Sequence, residues 1–566
     1  MNRTLLLAAC LIFAPSIPRS IAAQSATGLR FEIAFPKSAT ARTGRAYVAI
    51  AKDGTPEPRL QAGGLARSTP FFGADVRALP PGHTVIVDAH AAGYPLRSLA
   101  SLPAGDYWVQ AVFSVYTEFH RADGRTLWLH QDQWEGQKWN ESPGNLVSEP
   151  QRIHLDPHAA QTVRLTLTRT LPPIALPPDT KWVKHIKIQS RLLTAYWGHP
   201  MYLGATVLLP AGYEDHPDAH YPVIYEQGHF TLSPPFGFDP GGTPETAEHA
   251  ARRRLATERE PGYEFAQAWM SDTFPRVIAI TFQHPTPYYD DSYAVNSAND
   301  GPYGDAIIQE LIPYLEQHFR IIAKPYARIL IGGSTGGWEA LALQIYHPDF
   351  FGGAWGLYPD PVDFRRYQLS NIYEDTSAFV IARSPWIASE VPAERENSGM
   401  PTITMRQESQ LEDALGTHGR SGEQLEAWEA VFGPTDADGY PAALWDKRTG
   451  HMNHDVATYM RDHGYDLRAY LEKNWSSVGT PLRGKIHVVV GDMDSYYLNL
   501  ACYLLQDFLD STTAPHYDGS FTYGRPLKPH GWQPWTDAAF VRMAFDTIQA
   551  HASADVAPSA HDNPSF

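Results

Sequence analysis

From Leu29 onward the chain alternates apolar and polar positions with a period of two. Leu29, Phe31, Ile33 and Phe35 are separated by Arg30, Glu32 and Ala34. Tyr107, Val109, Ala111, Phe113 and Val115 are separated by Trp108, Gln110, Val112 and Ser114, and Val163, Leu165 and Leu167 follow the same rule. Period two sends successive side chains to opposite faces of a strand. With turns such as Leu102-Pro-Ala-Gly-Asp106 between the runs, it predicts an antiparallel, sandwich-like β domain over residues 24–170. No catalytic constellation stands out there, so a scaffolding role is expected.

Leu171-Pro-Pro-Ile-Ala-Leu-Pro-Pro178 predicts a stiff linker over residues 171–180. Beyond it, over 181–552, the pattern changes. Val183 to Ile188 and Leu203 to Leu209 read as paired strands. Tyr221 to Tyr225, Arg276 to Phe282, Ile329 to Ile331, Ala354 to Leu357 and Ile486 to Val490 are short apolar runs, as in parallel strands buried on both faces. Helical patterns alternate with them, one carrying Ile308, Leu311, Ile312, Leu315 and Phe319 on a single face. The expected fold is α/β, a doubly wound, mostly parallel sheet. Between about 363 and 481 the chain turns polar and irregular, which predicts a long insertion placed to cap a site.

Where the run Ile329 to Ile331 ends, Gly332-Gly333-Ser334-Thr335-Gly336 matches G-x-S-x-G, and the helical pattern from Trp338 follows. A chain of this length yields about 0.2 such matches by chance, so the weight lies in the context. Strand before and helix after are what a nucleophile elbow requires, with glycines where any Cβ would collide with a neighbouring element.

Composition narrows the setting. The 566 residues carry a net charge of −17, which argues against a nucleic-acid backbone as partner. Met1 to Ala14 has one positive charge and then a short apolar run, and Ala22 and Ala23 close the segment. Residues 1–23 read as a secretory signal peptide, so the protein is expected to be periplasmic or secreted, with no membrane span. Once that segment is removed, Cys502 is the one cysteine left, within an apolar helical pattern that predicts a buried thiol. Residues 553–566 are small and polar and predict a disordered tail.

A serine nucleophile needs a base and an acid, ordered Ser, Asp, His along the chain in this fold. Gly491-Asp-Met-Asp-Ser495 follows a core strand, so its carboxylates fall on the elbow's side of the sheet. Asp494 is the candidate acid, with Asp492 its close rival and Asp360 a weaker one; helix capping or cation binding are their other readings. His530, in Lys528-Pro-His-Gly-Trp532, is the candidate base ahead of His516. Oxyanion donors are expected from the backbone N–H of Thr335 and from His229 or Phe230 beside Gly228. No H-x-x-x-H or cysteine cluster accompanies His229, so neither a metal nor a cofactor is expected. Tyr288, Tyr289, Trp338, Tyr358, Trp532 and Trp535 are candidate cleft-lining or core aromatics.

From about Lys184 onward these pieces resemble the putative esterase family of α/β-hydrolases, which includes esterase D, enterochelin esterase-like, feruloyl esterase and mycolyltransferase proteins. The resemblance rests on Leu208-Leu-Pro-Ala-Gly-Tyr213, Tyr221-Pro-Val-Ile-Tyr225, Gly332 to Trp338, His347-Pro-Asp-Phe350 and His530-Gly-Trp532. It implies Ser334 as nucleophile, His530 as base and an Asp after the late strand as acid. The chain departs from the family in Gln227-Gly228-His229, where members often have His-Gly, and in its extra β domain and insertion. The expected activity is hydrolysis of a small-molecule or carbohydrate-linked ester through an acyl-enzyme. An acyltransferase with the same triad and an inactive glycan-binding relative are the alternatives.

Overall fold

The computed structural model describes residues 28–36 and 41–552. The predicted signal peptide and C-terminal tail lie outside these described residues. In the N-terminal region nine strands form one continuous sheet. Its order is Thr84–Val87, Arg30–Ala34, Thr162–Thr170, Leu146–Ser148, Gly105–Val115, Arg42–Ala51, Phe71–Leu79 and Ala92–Tyr94, with Gln151–Leu155 also paired to Gly105–Val115. The expected antiparallel pattern holds except between Arg30–Ala34 and Thr162–Thr170, which run parallel. In place of two separate sheets, one sheet folds over, so that Phe31 and Val87 from one end share a core with Val48 and Phe72 from the other.

One expectation from period two fails instructively. Gln110, Val112 and Ser114, which the alternation places on an open face, are all buried. The helix Met405–Leu415 covers that face, packing Leu411, Ala414 and Leu415 against Tyr47, Phe71 and Val112. Polar contacts fix the junction: Arg45 Nη2 donates to the Ala414 carbonyl at 2.8 Å, and Arg420 Nη2 to Asp75 at 3.0 Å.

The second region is built on eight strands: β1 (Val183–Ser190), β2 (Met201–Leu208), β3 (Val223–Gln227), β4 (Ile278–Gln283), β5 (Arg328–Gly333), β6 (Gly353–Leu357), β7 (Ile486–Gly491) and β8 (Ser520–Gly524). Their spatial order is β1-β2-β4-β3-β5-β6-β7-β8. The pairs β1/β2 and β2/β4 are antiparallel and the rest are parallel. This is a mostly parallel sheet of the kind the apolar runs predict. Because β3 to β8 all point the same way, the loops that follow them gather at one edge, where sites of open α/β sheets form.

Among the helices, α1 (Thr335–Tyr346) follows β5 and is buried along most of its length. The insertion is less irregular than its composition suggests. Its helix α2 (Gln424–Phe432) buries Trp428 and Phe432 in the same core as Tyr293 and Trp338. Helices α3 (Asn499–Asp510) and α4 (Asp537–His551) complete the fold. Cys502 on α3 is fully buried, as its pattern predicts, and burial pushes its thiol up. Among the described residues, no helix is long and apolar enough to cross a membrane.

Candidate active site

Ser334 sits between β5 and α1 with φ 57° and ψ −123°. A non-glycine residue in that conformation is strained and persists only where its surroundings enforce it. Here they do. The Leu357 carbonyl of β6 accepts from the Ser334 N–H at 3.0 Å, and the Ser334 carbonyl accepts from Trp338 at 3.1 Å and from Asp360 at 3.2 Å. The flanking glycines allow the turn to press against β3. A Cβ on Gly336 would lie 2.0 Å from the Gln227 carbonyl oxygen, and one on Gly332 would lie 2.2 Å from that of Gly336. The serine hydroxyl is thereby held clear of its own strand.

Asp494 and His530 come from the loops after β7 and β8. Their side chains meet, with His530 Nδ1 2.8 Å from Asp494 Oδ2. The other Asp494 oxygen accepts from the backbone N–H groups of Tyr496 at 3.0 Å and Leu498 at 3.2 Å. The capping role and the histidine-holding role weighed for this residue therefore coexist, one per oxygen. Asp492 Oδ1 accepts instead from the Lys528 N–H at 3.3 Å, and His516 Nδ1 lies 2.7 Å from the Thr512 carbonyl, so neither rival joins the pair. The rings of Tyr358 and Tyr496 stand edge-on to His530 at 4.7 and 4.9 Å. Burial alone would lower the basicity of His530. The charge and hydrogen bond of Asp494, helped by Asp360, outweigh it and hold the imidazole above its ordinary value. No hydrogen bond among the described residues uses His530 Nε2, which leaves that nitrogen free for chemistry.

Asp360, the weaker acid candidate, lies on the serine's side of the site. Its Oδ1 accepts from Ser334 Oγ at 3.3 Å. Its Oδ2 accepts from Tyr293 Oη at 2.7 Å, from Gln424 Nε2 at 2.9 Å and from Thr335 Oγ1 at 3.1 Å. Burial pushes this carboxyl up, against the pull of those donors. The serine hydroxyl thus rests on Asp360, and no hydrogen bond among the described residues joins it to His530. A Cβ on Gly333 would touch the Tyr358 ring, and that ring in turn faces His530.

The N–H of Thr335 opens α1, so it has no acceptor within the helix. His229 follows β3, and its Nε2 lies 3.5 Å from Thr335 Oγ1. Among the described residues no backbone acceptor takes the N–H of Thr335 or of His229. Phe230 turns away, its ring packed edge-on at 5.5 Å against Trp134 of the N-terminal region. Of the six aromatics, Tyr288, Trp338 and Trp532 are buried core residues, whereas Tyr358 faces the histidine. A cavity of about 340 Å³ opens beside the site. Gln137, Lys138 and Trp139 of the N-terminal region, Glu423 of the insertion, and His229 and Tyr289 line it. Sequence reasoning missed Tyr293 and Gln424. The run Tyr288-Tyr-Asp-Asp291 after a core strand was a usable signal for the first, and nothing in the sequence marked the second.

No curated protein matches the chain. Among solved structures it resembles a ferulic acid esterase (17% identity, 65% of this chain and 98% of that one, TM-score 0.31). It also resembles an S-formylglutathione hydrolase from Agrobacterium tumefaciens (13%, 66% and 96%, TM-score 0.31). A third is the ferulic acid esterase of Anaeromyces mucronatus (12%, 65% and 91%, TM-score 0.28). Likenesses this faint say nothing about the chemistry of this chain. The family model described as "Putative esterase" matches residues 201–430, a span that holds the Ser334 elbow, the His229 loop and Asp360 but not Asp494 or His530. That match makes the central part of the chain similar to the putative esterases.

Proposed function

We propose that the protein is an exported serine carboxylesterase, acting on a small-molecule or carbohydrate-linked ester. The observation that carries this reading is the strained Ser334 on the same sheet edge as the 2.8 Å His530–Asp494 pair. In the proposed reaction the Ser334 hydroxyl leaves Asp360 and turns to His530 Nε2. It gives up its proton there and attacks the ester carbonyl. The N–H groups of Thr335 and His229 receive the developing oxyanion. His530 returns the proton to the departing alcohol, and water, activated by the same imidazole, releases the acid from the acyl-enzyme. Asp494 keeps the ring in the tautomer that leaves Nε2 open.

Rapid mixing with p-nitrophenyl acetate over a range of pH tests this. An acyl-enzyme predicts a burst of nitrophenolate approaching one per chain, where deacylation is the slower step. Because the base must be neutral and its basicity is raised, kcat/KM should climb with pH through an inflection above the ordinary imidazole value of about 6.5. A rate independent of pH between about 5 and 8 would count against a histidine base.

A further inference from the structure

The loop after β4 carries two adjacent carboxylates that the proposed chemistry does not use. Asp290 Oδ1 and Asp291 Oδ2 each lie 3.2 Å from His229 Nδ1. One ligand-type atom from each of the three residues lies within 4.8 Å of the other two. Asp291 is 1% exposed, and its buried Oδ2 makes no hydrogen bond even at that short distance from the ring nitrogen. Glu339 of α1 is 0% exposed and has no hydrogen-bond partner on either oxygen. The His284 Nε2 nearest to it is 3.8 Å away, too far for a hydrogen bond. The charges of Asp291, His229 and Asp290 act on this carboxyl most strongly after burial itself. Among the described residues, no lysine or arginine forms an ion pair with any of the four.

Of the three carboxylates, Glu339 has no hydrogen-bond partner on either oxygen, while Asp291 accepts the Tyr293 N–H at 3.0 Å on Oδ1 and leaves Oδ2 unsatisfied. A buried charge without a partner is strongly destabilising. The hydrogen bond of His229 Nδ1 goes to Asp290 and leaves Asp291 Oδ2 without one. The spacing suits a different occupant. Nitrogen and oxygen ligands about 2.1 Å from a common ion lie about 3.0 to 3.4 Å apart in octahedral or tetrahedral geometry. The 3.2 Å separations fall in that interval, and the misaligned Asp291 contact fits two ligands of one ion better than a donor and its acceptor.

We propose that His229 Nδ1, Asp290 and Asp291 bind a divalent first-row transition ion, Zn²⁺ or Mn²⁺. An imidazole nitrogen among carboxylates favours these ions over Ca²⁺ or Mg²⁺. The route in is the cavity beside the site, which His229 and Asp290 both line. Bound there, the ion ties the His229 side chain to the 290–291 loop, and with it the backbone of the oxyanion loop. The Nε2–H then faces Thr335 Oγ1, which selects the tautomer that leaves Nδ1 free to coordinate. Chain spacing alone gave no hint of this set, because its histidine and its aspartates lie on separate loops.

The test needs no assay of activity. Protein treated with chelator and dialysed is titrated with ZnCl₂ and, separately, MnCl₂ by calorimetry, and its Tm is followed alongside. The expected result is one ion per chain, a higher Tm, and affinity at least tenfold weaker in Asp290→Asn and Asp291→Asn. Asp290 is partly exposed, so its variant is the one expected to keep the fold and to decide the matter. Less than about 0.1 ion per chain with an unchanged Tm overturns the proposal. Equal affinity in wild type and Asp290→Asn overturns it too, since the ion would then sit elsewhere.

Discussion

Ser334→Ala is expected to abolish covalent labelling by a fluorophosphonate and to lower kcat on an aryl ester by about 10⁵- to 10⁶-fold. The size follows from what the residue is asked to do. Without the hydroxyl no acyl-enzyme forms, and only oxyanion stabilisation and binding remain, which are worth about 10³- to 10⁴-fold over water. The substitution should leave the fold intact. Alanine removes a single hydrogen bond, the 3.3 Å contact with Asp360, and the backbone bonds that enforce φ 57° involve no side-chain atom. Equal labelling of wild type and variant would sink the serine-hydrolase reading.

Asp494→Asn is expected to lower kcat by about 10⁴-fold, and Asp492→Asn by less than about tenfold. The contrast tests geometry rather than charge, because both residues lie in one short loop. An asparagine at 494 keeps an oxygen for the N–H groups of Tyr496 and Leu498, so the start of the next segment should hold. Its amide, turned to His530, would donate to Nδ1 and fix the wrong tautomer, with the proton on the nitrogen that must accept one from the serine. Circular dichroism should be unchanged in both variants. If Asp494→Asn retains wild-type turnover, the acid lies elsewhere, and Asp360, already 3.3 Å from the serine hydroxyl, becomes the first residue to test.

What could be read in the sequence was what neighbouring residues encode. The elbow is local: an apolar run, two close-packed glycines and a helical pattern determine where Ser334 stands, and the structure puts it there. Strands β1 to β7 were legible in their apolar runs, whereas β8 at the sheet edge, Ser-Phe-Thr-Tyr-Gly, has no such run to mark it. The pairing of His530 with Asp494 was reachable through chain order, although 36 positions separate them. The Asp360 cluster was not. Its partners Tyr293 and Gln424 are 67 and 64 positions away, on a loop and an insertion whose docking no local pattern announces. The buried outer face of Gly105–Val115 was misread for the same reason. Alternation says which residues share a face, but not that the helix Met405–Leu415 comes back to cover it.

That returning helix changes what counts as a separable part. The segment 171–180 is largely exposed and free of regular structure, so it is an open target for a protease. Yet a cut there should not release the β region, because Tyr47, Phe71 and Val112 remain clamped to Leu411, Ala414 and Leu415. The two fragments are expected to elute together on size exclusion and to melt in one transition. Expression of residues 181–552 alone should give insoluble protein, since it bares that apolar patch to water. A boundary obvious in the covalent chain is thus a poor guide to the cooperative unit, which runs from the first strands through the insertion to the eight-stranded sheet.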